Sequence, residues 1–157
     1  MRKRHLNNNS FYVVVAGLAA VAVSGCASFT ATAPLGFAAV SGHDPFRAIS
    51  PDGVVFRVRH EANQPKAELA FWKEALKNRL LAVGYTYVSE REVKASGRPG
   101  ALLELAAPMG QVDFSYLVAI FVTAGDVVIV ETAGPVLKLK ERVPAVEAAI
   151  AALVLAY

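Results

Sequence analysis

The run Val112-Asp-Phe-Ser-Tyr-Leu-Val-Ala-Ile-Phe-Val-Thr-Ala-Gly-Asp-Val-Val-Ile-Val-Glu-Thr132 decides the fold. Leu117 to Val122 is unbroken in apolarity, and Val127 to Thr132 repeats that character after the short turn Ala124-Gly125-Asp126. Side chains alternate across a strand, so a continuous apolar run puts hydrophobic groups on both faces. At an exposed edge such strands invite aggregation. The two segments therefore read as a hairpin at the centre of an antiparallel sheet, covered at least in part on both sides.

The sequence supplies two covers. Upstream, Asn63-Gln64-Pro65 breaks a strand, and Lys66 to Val83 reads as an amphipathic helix ended by Gly84. Leu69, Trp72, Leu76, Leu80 and Val83 recur there at helical spacing. Downstream, Gly134-Pro135 ends the hairpin and Val136 to Leu155 reads as a closing helix. Its stripe is Val143, Val146, Ala149, Ile150 and Leu153, with Pro144 either opening its regular part or kinking it.

The other strands show periods of two. Phe46 to Ser50 and Val54 to Glu61 flank the turn Pro51-Asp52-Gly53. Val54, Phe56, Val58 and His60 share one face, and Val55, Arg57, Arg59 and Glu61 the other. Tyr85 to Lys94 sets Tyr85 and Tyr87 against Thr86, Val88, Glu90 and Glu92; a turn over Ala95 to Gly100 then leads into Ala101 to Ala107. The expected class is α+β: a single antiparallel sheet of about five to six strands with two helices packed on it. This order resembles the PsbP and DcrB-like superfamily of small envelope domains over roughly Phe46 to Leu155. The resemblance is one of topology and implies no functional residue.

The N-terminus has a different character. Arg2, Lys3 and Arg4 precede an almost wholly apolar run from Phe11 to Val23, and Val23-Ser24-Gly25-Cys26 closes it with the only cysteine of the 157 residues. Roughly thirteen helical residues span about 20 Å, short of the roughly 30 Å hydrocarbon core, as in a signal peptide rather than a permanent span. Over Met1 to about Ser28 the chain resembles a bacterial lipoprotein: Val23 fills the lipobox position where leucine is commonest, Ser24 and Gly25 are small, and Cys26 is the acceptor. That resemblance implies a signal peptide over residues 1–25 and lipid on Cys26 as the membrane anchor. Composition rich in Ala, Ser, Thr, Gly and Pro without periodicity then reads as a flexible tether over 26–45, and the remainder as one domain over 46–157. Ala27 and Ser28, with no aspartate after the cysteine, resemble lipoproteins sorted to the outer membrane, facing the periplasm. Two other readings compete: Cys26 as an ordinary small hydrophobe, and Ala31-Thr32-Ala33 as an A-x-A site releasing a soluble protein.

Removing the leader changes the charge balance. The net charge of +3 comes from 16 basic and 13 acidic residues, and Arg2, Lys3 and Arg4 account for the excess. A balanced remainder gives no reason to propose nucleic-acid binding, which needs a clustered basic face. With its one cysteine lipidated, the domain has no intramolecular disulfide.

Chemistry-bearing patterns are sparse. Ser41, His43 and Asp44 hold hydrolase-triad residue types, too crowded for the spatially separated geometry of a triad. His60, Glu104 and Asp113 form no recognisable constellation, and no second ligand stands at zinc-site spacing from His60. No catalytic, cofactor or metal residue is assigned, and the chain is expected not to be an enzyme. Arg57 and Arg59, joined by Arg47, could bind an anionic headgroup or glycan, although a solvated strand face is the simpler account. The expected function is a lipid-anchored envelope module that binds a protein partner or aids an assembly. The alternative is a lipoprotein that holds a lipid or small molecule in an apolar cavity between helix and sheet, lined by Trp72, Tyr85 and Tyr87.

Overall fold

The computed structural model describes residues 28–42, 45–109 and 112–156. The leader, Cys26, His43 and Asp44 lie outside the described residues. Nine strands and two helices follow in the order β1 (Phe29–Thr30), β2 (Ala38–Ala39), β3 (Phe46–Ile49), β4 (Val55–Ala62), α1 (Leu69–Ala82), β5 (Thr86–Ala95), β6 (Arg98–Met109), β7 (Val112–Val122), β8 (Asp126–Pro135), α2 (Val136–Ala151) and β9 (Val154–Leu155). Seven strands form one antiparallel sheet in the order β2-β3-β4-β8-β7-β6-β5, and β1 pairs with β9 in a separate two-stranded ribbon.

The single sheet of five to six strands is thereby corrected to seven strands plus a ribbon of two. The six longer strands are those the sequence marks out, the central pair by unbroken apolarity and the others by alternation and turn signals. The additions, β1, β2 and β9, are two residues each, too short for any alternation to show, and tertiary docking alone creates them. The last of these also shortens the closing helix, which stops at Ala151 instead of continuing to Leu155. The hairpin tip between β5 and β6 holds the chain there: Ser96 Oγ donates to Leu153 O at 2.9 Å and accepts from Leu155 N at 3.1 Å.

Residues 28–42, expected as tether, run along the domain. Phe29, Ala31, Ala33 and Phe37 pack against the core under α2, and Ala38–Ala39 extends the sheet beside β3. Small composition suits a solvated coil and a docked strap alike; of Leu35, Phe37 and Val40, more apolar than a free linker needs, Phe37 packs on the core while Leu35 stays exposed.

The hairpin β7–β8 occupies the middle of the sheet and carries a core on each face. Leu117, Ala119, Phe121, Val128 and Val130 meet Leu139, Val146 and Ile150 of α2 on one side. Val118, Ile120, Val127 and Ile129 meet Leu69, Trp72, Leu76 and Leu80 of α1 on the other. Val83, assigned to the α1 stripe, stands exposed past the helix end. The start of α1 is pinned by Asn63, whose Nδ2 donates to Thr123 O at 3.1 Å. Its Oδ1 accepts from Ala67 N at 3.1 Å and Trp72 Nε1 at 2.8 Å. What reads as a strand breaker is thus a buried clamp between α1 and the β7–β8 turn.

Two local features depart from simple periodicity. The β5–β6 turn is only Ser96-Gly97, with φ of 50° and 72°, left-handed values that suit a two-residue hairpin. Gly100, read as a turn residue, lies inside β6 opposite Phe121; a Cβ there would sit 2.4 Å from the Phe121 ring and 2.7 Å from Ile120 O. In β5 the register shifts between Tyr87 and Ser89, so one extra residue flips the faces. Glu90, expected opposite Tyr87, therefore joins it on the α1 side. There it accepts from Lys73 Nζ at 2.7 Å and Lys77 Nζ at 3.2 Å, hydrogen bonds that hold its pKa below the usual carboxylate range.

Gly100→Ala is expected to destabilise the domain by about 1–3 kcal/mol, since neither the Phe121 ring nor the Ile120 carbonyl can withdraw freely. A shift of the urea midpoint at constant slope would check it.

Asp52, in the β3–β4 turn, accepts from Ser50 Oγ and, at 3.0 and 3.3 Å, from Arg142 of α2. The Ser50 hydroxyl first and Arg142 second hold its carboxyl below the ordinary aspartate value. A carboxyl depressed in the folded state contributes stability that is present above its unfolded pKa and lost as pH falls toward the folded value. Melting temperature should therefore drop through the acidic carboxylate range, and Asp52→Asn should flatten part of that drop. Superimposable pH profiles for the two proteins would refute the link.

Candidate arginine groove on the half-open face

The cover over the α1 side is incomplete. The helix lies over β5, β6, β7 and the Val127–Ile129 part of β8, leaving β3, β4 and the Glu131 end of β8 open on that face. The open half is where polar residues fall. Arg57 pairs in register with Arg47 of β3 and with Glu131 of β8, so the three form one cross-strand row, and Arg59 stands two residues along.

Glu131 organises the row. Its carboxylate accepts from Tyr116 Oη at 2.8 Å, from Arg59 Nε at 3.2 Å and from Arg59 Nη2 at 3.4 Å, with Arg57 Nη1 at 3.6 Å. Arg59 also donates to Glu61. Burial works against the charged Arg59, yet Glu131, then Glu61, hold its pKa above the ordinary arginine value. Burial, and after it the charge of Glu131, push the Tyr116 phenol well above the usual tyrosine value, so it stays a donor at any physiological pH. Tyr116 is in turn backed by Tyr85, with ring centroids 5.2 Å apart.

Pro45, Arg57, Arg59, His60, Glu61 and Glu131, with Arg79 from α1, line a polar groove of about 540 Å³. A second hollow beside it is lined by Pro45, Arg47, Val55 and Arg57. Among the described residues, four guanidinium groups thus face two carboxylates. Arg47 and Arg79 have no ion-pair or hydrogen-bond partner among the described residues. The arrangement suits an anion: Arg59 is oriented by its carboxylates, and exposed guanidinium forks stand on either side.

The other candidates are dispersed. His60 points to the opposite face, against the Phe29 ring, with Nδ1 at 3.0 Å from Ser28 Oγ and 3.1 Å from Asp126 Oδ1. Hydroxyl and carboxylate meet the same ring nitrogen, whereas a hydrolytic triad sets them on opposite nitrogens. Glu104 of β6 accepts from Ser89 of β5, and Asp113 lies exposed at the far end of β7, so neither joins His60. Among the described residues, no group of three His, Cys, Asp or Glu could hold a metal.

The three aromatics do not line a common cavity. Trp72 donates to Asn63, Tyr85 packs on Tyr116, and Tyr87 lies under Lys77 Nζ at 4.0 Å. Between α1 and the sheet, Trp72, Leu76, Ile120, Val127 and Ile129 leave a cleft of about 90 Å³, room for a few waters. Arg57, Arg59 and Arg47 are legible in the sequence; Glu131, Tyr116 and Arg79 are not. The signal for Glu131 was present, since a carboxylate ending the apolar run Val127 to Val130 of a central strand needs a partner.

Glu131→Ala would leave the Tyr116 hydroxyl and Arg59 without their acceptor, so a loss of about 1–3 kcal/mol is expected. Tyr116→Phe with Glu131 intact should cost less. Urea melts followed by Trp72, the one tryptophan, would rank the two.

No protein-family model matches the chain, and no curated protein matches it in sequence. The solved structures do show similar folds. The solution structure of cyanobacterial PsbP (CyanoP) from Synechocystis sp. PCC 6803 aligns with a TM-score of 0.58 at 11% identity, covering 82% of this chain and 87% of that one. The crystal structure of PA94 from Pseudomonas aeruginosa, a protein of unknown function, aligns with a TM-score of 0.54 at 14% identity, covering 69% of this chain and 90% of that one. At such identities the likeness is one of fold, and the PsbP-like topology expected from the order of elements is present.

Proposed function

We propose that the protein is a lipid-anchored envelope lipoprotein, attached through Cys26 to the outer membrane on its periplasmic side, and that its domain is a non-catalytic binding or assembly-accessory module. The observation that carries the anchor is the docking of the strap. Cleavage after Ala33 would strip β1 from β9 and remove Phe29, Ala31 and Ala33 from the core under α2. Cleavage before Cys26 keeps all of them, which favours the lipobox over the A-x-A site.

The filled cores favour binding at the surface. A cleft of about 90 Å³ beside Trp72 has no room for an acyl chain, and ligand pockets are usually several times larger. The arginine groove is the surface best equipped for a partner, because its charges are ordered by Glu131 yet incompletely neutralised.

Mass spectrometry of the mature protein should find Cys26 at the N-terminus carrying acyl chains. A free thiol, or a chain beginning after Ala33, would refute the anchor. Recovery of the acylated protein with the inner membrane on fractionation would move the site without touching the anchor.

A further inference from the structure

The docked strap also fixes which surface meets the membrane. Ser28 is hydrogen-bonded to His60 at 3.0 Å, and β1, which begins at Phe29, is paired with β9. Only two residues lead from Cys26 to Ser28, a reach of about 7 Å. Acyl chains on Cys26 would therefore enter a bilayer beside His60.

The His60 ring faces the strap, but its backbone stands at the rim of the arginine groove on the other face. Its chain neighbours Arg59 and Glu61 line that groove with Arg57, Arg79 and Pro45. Among the described residues, β3 pairs with β4 only as far as Phe46 opposite Val58, and none of them pairs with residues 59–62 on that side. The groove thus opens at the same end of β4 that the strap holds.

We propose that this groove takes the phosphate of an anionic lipid headgroup in the membrane that carries the protein's own anchor. The inference rests on the anchor at Cys26 and adds its ligand class. Three features support it. Guanidinium forks match phosphate oxygens two at a time. Arg59 is held in place by Glu131 and Glu61, while Arg47 and Arg79 have no partner among the described residues to give up. The excess positive charge lies beside the anchor, where an anionic leaflet attracts basic residues within about a Debye length.

The test compares the acylated mature chain, purified from membranes, in two vesicle types: phosphatidylcholine alone, and phosphatidylcholine with a third of the lipid replaced by phosphatidylglycerol. Both hold the protein through its acyl chains, so only the headgroup differs. Phenylglyoxal modification of Arg47, Arg57 and Arg79, read by peptide mass spectrometry, is expected to slow several-fold with phosphatidylglycerol. Arg91, which pairs with Glu147 on the α2 side, should react equally in both and serves as the internal standard. In Arg57→Ala/Arg79→Ala, shown by its melt to be folded, protection of Arg47 should be lost.

Equal modification in the two vesicle types would overturn the proposal while leaving the anchor standing. Equal protection by inorganic phosphate added to phosphatidylcholine vesicles would also overturn it, by making the groove a site for free anions. If the mature chain carries no acyl mass, the anchor itself fails. Cosedimentation of the same chain with phosphatidylglycerol vesicles, and not with phosphatidylcholine, would then still support the groove, whereas pelleting with neither would reject it.

Discussion

The structure depends on one constraint: β7 and β8 are apolar on both faces and must be kept from water on both. Alternation along Leu117 to Val122 divides the side chains between two cores, and each core needs its own lid. On one side the lid is α2 together with the strap of residues 29–37. On the other it is α1 alone, a helix of 14 residues with no fully buried side chain. One helix cannot cover a seven-stranded sheet. The uncovered half of that face is built from charges instead, and the boundary between Ile129 and Glu131 is where hydrophobic cover gives way to an ion-pair network.

That network is a substitute for burial rather than an ornament on it. Arg59 and Glu131 are mostly shielded, and an unpaired charge in either position would be expensive. Pairing them with Tyr116 satisfies the row and fixes the guanidinium plane without neutralising its neighbours. A surface that is ordered but still charged is better prepared for an anion than one in which flexible side chains must first be immobilised.

The sequence discloses what is periodic and conceals what is made by contact. The central hairpin was legible from its unbroken apolar run, and the flanking strands and both helical stripes from alternation, helical spacing and turn residues. The faces of β4 were legible too, from Val54, Phe56 and Val58 against Arg57 and Arg59. The two-residue strands were not, since Phe29–Thr30 means nothing until Val154–Leu155 lies beside it. Tyr87 and Glu90 share a face only because of a register shift that leaves no mark in composition. The candidate site shows the same division. Its arginines stood out as an alternating row, whereas Glu131 is fifteen residues from Tyr116 and 72 from Arg59, and only the pairing of strands unites them.

The two edges of the large sheet are guarded by different means. At one edge β2 is only two residues long, too little backbone to seed an added strand. At the other, β5 is ten residues long and exposed over most of its length, the form of edge that most readily templates another chain. Its bulge breaks the regular spacing of its free amides and carbonyls, and Glu90, Arg91, Glu92 and Lys94 crowd it with charge of both signs. Copies of this domain crowded side by side would therefore find no flat, neutral rim along which one sheet could continue into the next.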